Sequence, residues 1–368
     1  MASVIIKEGI CHALYVCDIG LAINLDRVRR LLARADVKTE AATSRRPQKF
    51  AGYQPPPLHV AQPVPDLHLT GRAIAPEADM VLYDFGAVTV TYDIPFAGPL
   101  EEAGRLSCEL NESDMLLNDA RRRVEALLAR IRRAVSRPRA PSMFEDYLLF
   151  EVRDAELPGP LGQLPDRQGQ EIARILRAET QPLSDQEVAD AVSVRLSYGP
   201  DDLTLIDWNA ALIFDRAAED VRDVLEFANI ELLELRVLDA QLDDSLDRSY
   251  DILSRFTWQR LLGISRVSSL RRVGQMQVDG AILFERVSNA LKLLGDQYLA
   301  RVYRLASQRF HLAEWNAGSL RKLDTIESLY DKLSDRNANR RLEILEWIII
   351  LLIAFEIVWP FVSRRWGL

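Results

Sequence analysis

WIIILLIAFEIVWPFV, residues 347–362, is the stretch on which the reading of this chain turns. Its 16 residues, with Glu356 alone ionisable, make about 24 Å of helix, against roughly 30 Å for the hydrocarbon core of a bilayer. Trp347 and Trp366 stand about 28 Å apart along a helix, the separation of an aromatic belt, and Arg364 and Arg365 are placed to snorkel. Glu356 at mid-depth costs about 2.5–3.5 kcal/mol, comparable to a gain of about 0.3–0.6 kcal/mol for each Ile, Leu, Val or Phe around it. The segment therefore reads as a C-terminal transmembrane helix over 346–366, with the Glu356 carboxyl facing a neighbouring subunit's helix rather than lipid. The expected anchor residues are Trp347, Ile348, Ile349, Ile350, Leu351, Leu352, Ile353, Phe355, Glu356, Ile357, Trp359 and Trp366. A buried oligomerisation helix of a soluble protein is the competing reading. Lys332, Arg336, Arg340 and Arg341 precede the segment and two arginines follow it. That bias predicts a single-pass protein of the inner (cytoplasmic) membrane with its N-terminal body on the cytoplasmic side.

Working back from the tail, residues 215–345 read as helical, a hairpin or coiled-coil region. Residues 217–253 keep Leu225, Ala228, Leu232, Leu235, Leu238, Leu242 and Leu246 on one side. A break at 263–274 separates this helix from a second at 278–310. A third begins near Ser319, with Leu323, Ile326, Tyr330 and Leu333 at heptad spacing.

The first half mixes strands and helices. Residues 1–40 hold a strand over 12–19 (HALYVCDI) and a helix over 24–33. Residues 41–79 form a Pro-rich connector, because Pro55, Pro56, Pro57, Pro63 and Pro65 cannot propagate a helix. An α+β domain follows at 80–214: two β runs about Gly86, a helix over 115–135, strands at 147–152, 192–197 and 203–208, and short helices at 170–178 and 185–191. The predicted architecture is thus an α+β N-terminal domain followed by long antiparallel helices, the last a C-terminal transmembrane helix.

Composition bounds the chemistry. The 368 residues, 48% hydrophobic and 27% charged, suit about two globular domains. Forty-six basic against 54 acidic residues give a net charge of −8, so any nucleic-acid or anionic-membrane partner must be met locally. Three cysteines without close spacing argue for a reducing compartment and against zinc, and four scattered histidines suggest no ligand pairs. Phosphate-binding glycine loops, dinucleotide fingerprints, HExxH and nucleophile elbows are all missing. No catalytic residue, cofactor, metal site or small-molecule substrate is predicted, and the chain is not read as an enzyme. Arg121, Arg122, Arg123 and Arg130 are candidate phosphate contacts, although the polar face of an amphipathic helix is the favoured reading of them. Asp239, Asp243, Asp247 and Asp251 recur every fourth residue, and that row drifts around the helix as a solvated acidic edge would. His311 has no carboxylate three or four residues before it to orient it as a base.

The core LEWIII, then LI and EI, within residues 343–357 (EILEWIIILLIAFEI) resembles the signature ending of the "required for meiotic nuclear division" family, a domain of unknown function. Residues 320–331 (LRKLDTIESLYD) are similar to its segment before the tail, and residues 83–90 (YDFGAVTV) to its opening strand. The likeness is thinnest over 97–181, and residues 1–79 fall outside it. It implies membrane-associated, oligomeric proteins without established enzymatic activity, a mitochondrial relative supporting organellar translation from the inner membrane. Together with basic residues that are nearly all arginine, Lys7, Lys38, Lys49, Lys292, Lys322 and Lys332 being the only lysines, it implies a bacterial, tail-anchored homo-oligomer: a membrane-anchored scaffold whose partners are the lipid bilayer and further copies of itself. The alternatives are a ribosome- or RNA-associated module supporting translation at the membrane and, second, a metal-dependent hydrolase on the aspartate row.

Overall fold

The computed structural model describes residues 4–33, 39–41, 55–64, 67–69, 72–255, 296–328, 346–347 and 349–353. The chain divides into two compact units, 1–238 with 279–317, and 239–278 with 318–368. The expected break at 263–274 and the heptad positions Tyr330 and Leu333 lie outside the described residues.

The first unit is organised by β1 (Ile5–Asp18), whose residues are apolar on both sides of the pleat. Cys11, Ala13, Tyr15 and Cys17 pack into one core, while Leu14 and Val16 pack into another. A strand buried on both faces reads as a nearly continuous apolar run, which is why HALYVC lacks strict alternation. After β1 come β2 (Ala22–Ile23), α1 (Leu25–Ala33), β3 (Thr39–Ala41), β4 (Leu58–Pro63), β5 (His68–Leu69), β6 (Arg72–Ala73), β7 (Glu77–Leu82) and β8 (Ala87–Pro99). Helices α2 (Leu100–Glu112) and α3 (Met115–Ile131) lead through β9 (Val135–Ser136) to β10 (Phe144–Glu156). Then follow α4 (Leu164–Arg177), α5 (Asp185–Ala191), β11 (Arg195–Leu196), β12 (Leu203–Ile206), β13 (Ala210–Phe214), α6 (Glu219–Arg255) and α7 (Gln297–Arg309).

Nine strands form one mixed sheet in the order β11-β12-β13-β10-β1-β8-β7-β4-β3. β1 lies antiparallel between β8 and β10, with Tyr15 opposite Val90 on one side and Asp146 on the other. β10 and β13 are parallel, Phe150 facing Leu212. Parallel neighbours need a crossover, and the segment carrying α4 and α5 supplies it. Between β7 and β8 the chain reverses at Gly86, φ +114°. A side chain there would meet both the left-handed backbone penalty and the Gly20 carbonyl oxygen.

The helices cover both faces. On the first, Leu106, Val124, Leu127, Ile172 and Ile175 from α2, α3 and α4 meet Tyr92, Ile94 and Phe150. On the second, Val221, Leu225 and Ala228 of α6 and Leu299, Val302 and Ala306 of α7 meet Leu14, Tyr147, Leu149 and Ile213. This corrects the predicted fold class. The first unit is α/β, a large mixed sheet with helices on both sides, because α6 spends its first leucine-stripe residues on the sheet instead of on a partner helix. Within the span read as a Pro-rich connector, β4 pairs with β7 in the sheet, Val60 opposite Met80.

The transmembrane expectation is corrected as well. No helix among the described residues is long and apolar enough to cross a membrane. The apolar run is shorter than a hydrocarbon core and Glu356 interrupts it, so the inner-membrane location has no support. In the second unit Lys322 Nζ lies 2.7 Å from Asp239 Oδ1 and 2.6 Å from Asp243 Oδ1.

Candidate functional site

The buried ionisable groups gather where α6 crosses the second face of the sheet. His12 of β1 is 2% exposed, and its cross-strand neighbour on β8 is Asp93. His12 Nδ1 lies 2.7 Å from Asp93 Oδ1, and Nε2 lies 3.1 Å from Glu151 Oε2, on β10 one diagonal step away. Both ring nitrogens therefore face carboxylates. Arg222 of α6 sits against the ring, Nη1 3.2 and 2.9 Å from its two nitrogens, with Nε 3.2 Å from Glu151 Oε2. Arg153 Nε donates to Glu151 Oε1 at 2.6 Å. Burial by itself would raise Glu151, but the hydrogen bonds from His12 and Arg153 bring it down to about 2. Asp93 is likewise lowered, its desolvation outweighed by His12.

One turn along α6 the balance reverses. Glu226 Oε1 accepts from Tyr83 Oη at 2.9 Å and Thr89 Oγ1 at 2.8 Å, yet desolvation keeps its carboxyl above the usual range. Asp223 rises to about 7 through burial and the neighbouring Glu226. On β4, His59 Nδ1 pairs with Asp79 Oδ2 at 2.9 Å. Further along, Arg236 is ion-paired with Glu145, and Arg139 holds Asp18 with two hydrogen bonds of 2.9 and 2.6 Å. Beside that pair Glu234 is 2% exposed, and burial followed by Asp18 drives its pKa well up. Another buried carboxylate, Asp207 in the β12–β13 turn, receives Arg177 Nε at 3.0 Å and Arg309 Nε at 2.7 Å, tying α4 and α7 to the sheet end.

These residues escaped the sequence reading, which took the histidines as scattered. A signal was present: His12 in HALYVC and Glu151 in YLLFEV each interrupt an apolar strand at an inward position, and two opposite-sign interruptions on strands of one core imply pairing.

The predicted site residues fall differently. Of the arginine row, Arg121 stacks 5.0 Å over the Phe144 ring. Arg123 Nε binds Asp119 at 2.5 Å and its Nη1 donates to the Pro63 carbonyl at 3.0 Å. Arg122, 3.3 Å from Asp119, and Arg130 keep exposed side chains. Among the described residues no group of three or more potential ligands converges on a metal position, and Lys322 occupies the aspartate row at Asp239 and Asp243. His311 lies on the surface, 3.5 Å from Glu314. In the tail, Trp347, Ile349, Ile350, Leu351, Leu352 and Ile353 are all 51–65% exposed. Ile348, Phe355, Glu356, Ile357, Trp359 and Trp366 lie outside the described residues.

A single mixed sheet sheathed by helices, with an ion-paired seam under one of them, defines an α/β protein of three layers. The chain belongs to the family described as "Uncharacterized protein MJ0711, N-terminal domain", whose model matches residues 8–220, from β1 through β13 to the first residues of α6. The protein of that description from Methanocaldococcus jannaschii is 25% identical over 190 residues, 51% of this chain and 58% of the relative. The match thus spans little more than half the relative's own length. No solved structure matches the chain. These findings overturn the resemblance to the "required for meiotic nuclear division" family, whose most specific motif, residues 343–357, lies beyond the matched residues 8–220. The archaeal relative also overturns the bacterial assignment.

Proposed function

We propose that the protein is a self-associating scaffold, the tail helix of one copy packing against that of another. The observation that supports this reading is the described tail segment, where six large apolar side chains at 347 and 349–353 are more than half exposed around the whole helix. A helix apolar on every side is stable in water only when surrounded, and like helices from further copies surround one another symmetrically. Patches of this kind mark interaction surfaces. The ion pairs under α6 fit a structural role, since Arg222 meets Glu151 of β10 and Arg236 meets Glu145 of the same strand. Light scattering on the full chain is expected to give a mass above the monomer, with Ile350→Glu/Leu351→Glu returning it to the 41.8 kDa of one chain. A wild-type monomer, or an oligomer unmoved by the double variant, defeats the proposal.

A further inference from the structure

At the carboxyl ends of the parallel strands β10 and β13 the first unit opens into a groove of about 1330 Å³. In α/β sheets this is where ligands bind, because the loops diverge there as helices leave on opposite faces. The groove runs from Val152 and Phe214 at the strand ends to Tyr198 and Tyr298 at its rim. Three features give it a chemical preference.

The first is aromatic. Tyr198 is 80% exposed, an unusual position for a large ring that packs edge-on against Tyr298, centroids 5.4 Å apart at 74°. Its loop is fixed: Asp202 accepts the Tyr198 backbone N–H at 2.8 Å and that of Gly199, and lies 3.4 Å from the Tyr298 hydroxyl. The Tyr198 ring is thus held ready rather than left to collapse onto the surface.

The second is what Tyr298 already accepts. The Arg301 guanidinium stands 5.9 Å over its ring, so this aromatic pair makes a cation–π contact within the chain itself.

The third is charge. The groove wall carries Asp154, Asp201, Asp202, Asp215, Asp220 and Asp296 against Arg153 and Arg216, with Arg301 and Arg304 outside it beside the two tyrosines. Arg153 is engaged with the buried Glu151, and Arg216 lies 3.9 Å from Asp154. A concave wall of one sign concentrates counter-ions of the other.

We propose that this groove binds a small organic cation, its guanidinium or ammonium group on the exposed face of Tyr198 and its second charge toward Asp220. The site is independent of the tail and stands whether or not the chain self-associates. Agmatine, which carries both cationic groups on a four-carbon chain, is the probe, and succinate, similar in length and opposite in charge, is the control. Calorimetric titration of the full-length protein is expected to show saturable agmatine binding that weakens with added salt. Tyr198→Ala, at a solvent-facing position, should weaken it about fivefold, the loss of one cation–π contact. Asp220→Asn should weaken it by a similar factor. Absence of agmatine binding at millimolar concentration, equal binding of succinate, or unchanged affinity in Tyr198→Ala with folding verified by circular dichroism would each overturn the proposal.

Discussion

The two faces of the sheet are built on the same strands and solve different problems. Toward α2, α3 and α4, β1, β8 and β10 present Ala13, Tyr15, Val90, Ile94 and Phe150, a surface held by apolar packing. Toward α6, the alternate residues of the same strands include His12, Thr89, Glu145 and Glu151, which α6 meets with Arg222, Glu226 and Arg236. The difference teaches that helix placement on the second face is set by several charge partners at fixed registers, whereas the first face relies on volume and shape with a buried polar link, Tyr92 Oη donating to Asp119 of α3 at 2.8 Å. Apolar packing tolerates sliding. A buried carboxylate opposite a guanidinium does not, because each step out of register leaves charges unpaired in a medium that solvates them poorly.

Replacing one residue on each face tests that contrast at the neighbouring positions 150 and 151. Phe150→Ala should cost about 3–5 kcal/mol, as loss of a buried aromatic does, with no change in the shape of the pH profile. Glu151→Gln should cost roughly 3 kcal/mol at neutral pH, since Arg153 and Arg222 lose a buried counter-charge. The sign of its pH dependence follows from its lowered pKa. Wild-type Glu151 contributes stability above the ordinary carboxylate value of about 4.3, and this is lost as pH falls toward about 2. Urea unfolding from pH 7 to pH 2 should therefore show the gap between Glu151→Gln and wild type closing in acid, while the Phe150→Ala gap stays constant. Parallel curves for both variants would break the comparison.

Glu234 sharpens it from the opposite side. Burial and Asp18 raise the pKa of its carboxyl, so the native state keeps its proton to higher pH than the unfolded chain does. Stability from this group is present below about pH 4.3 and declines as pH rises. Glu234→Gln, which keeps the shape and removes the ionisation, should stabilise the protein by about 1 kcal/mol at neutral pH and by less in acid, read as the difference in melting temperature at two pH values.

The smallest effect belongs to Asp223. Its pKa of about 7 makes it titrate near neutrality. Asp223→Asn should remove a shallow loss of stability as pH climbs from about 4 through 7. A carboxyl carbon resonance for Asp223 that titrates at its ordinary value would contradict the burial described for this turn.

Much of the local structure was legible. α1, α3, α5 and α6 begin and end within a few residues of their predicted spans, because apolar residues at three- and four-residue spacing declare a helix wherever it packs. β7 and β8 about Gly86 were legible for a related reason, a glycine turn between β-rich runs. β3 and β4 were obscured by the prolines around them, and Pro63 closes a strand end where a missing N–H is tolerated. The tail misled, since hydropathy reports that a segment avoids water but not what covers it. The arginine row misled too: composition cannot distinguish Arg123, committed to Asp119 and the Pro63 carbonyl, from Arg122 at the surface.

The sequence by itself determined the identity of these elements, the absence of familiar catalytic motifs and the apolar character of the chain end. All of these are properties of residues near one another along the chain. Only the tertiary structure decided that α6 lies on the sheet, that His12 stands between Asp93 and Glu151 under Arg222, and that the ends of β10 and β13 open into an acidic, aromatic groove. Those arrangements join residues 81, 139 and 210 positions apart, and a separation of that size leaves no periodicity to read. It is fixed by which strands pair and by the cost of burying any of these charges alone.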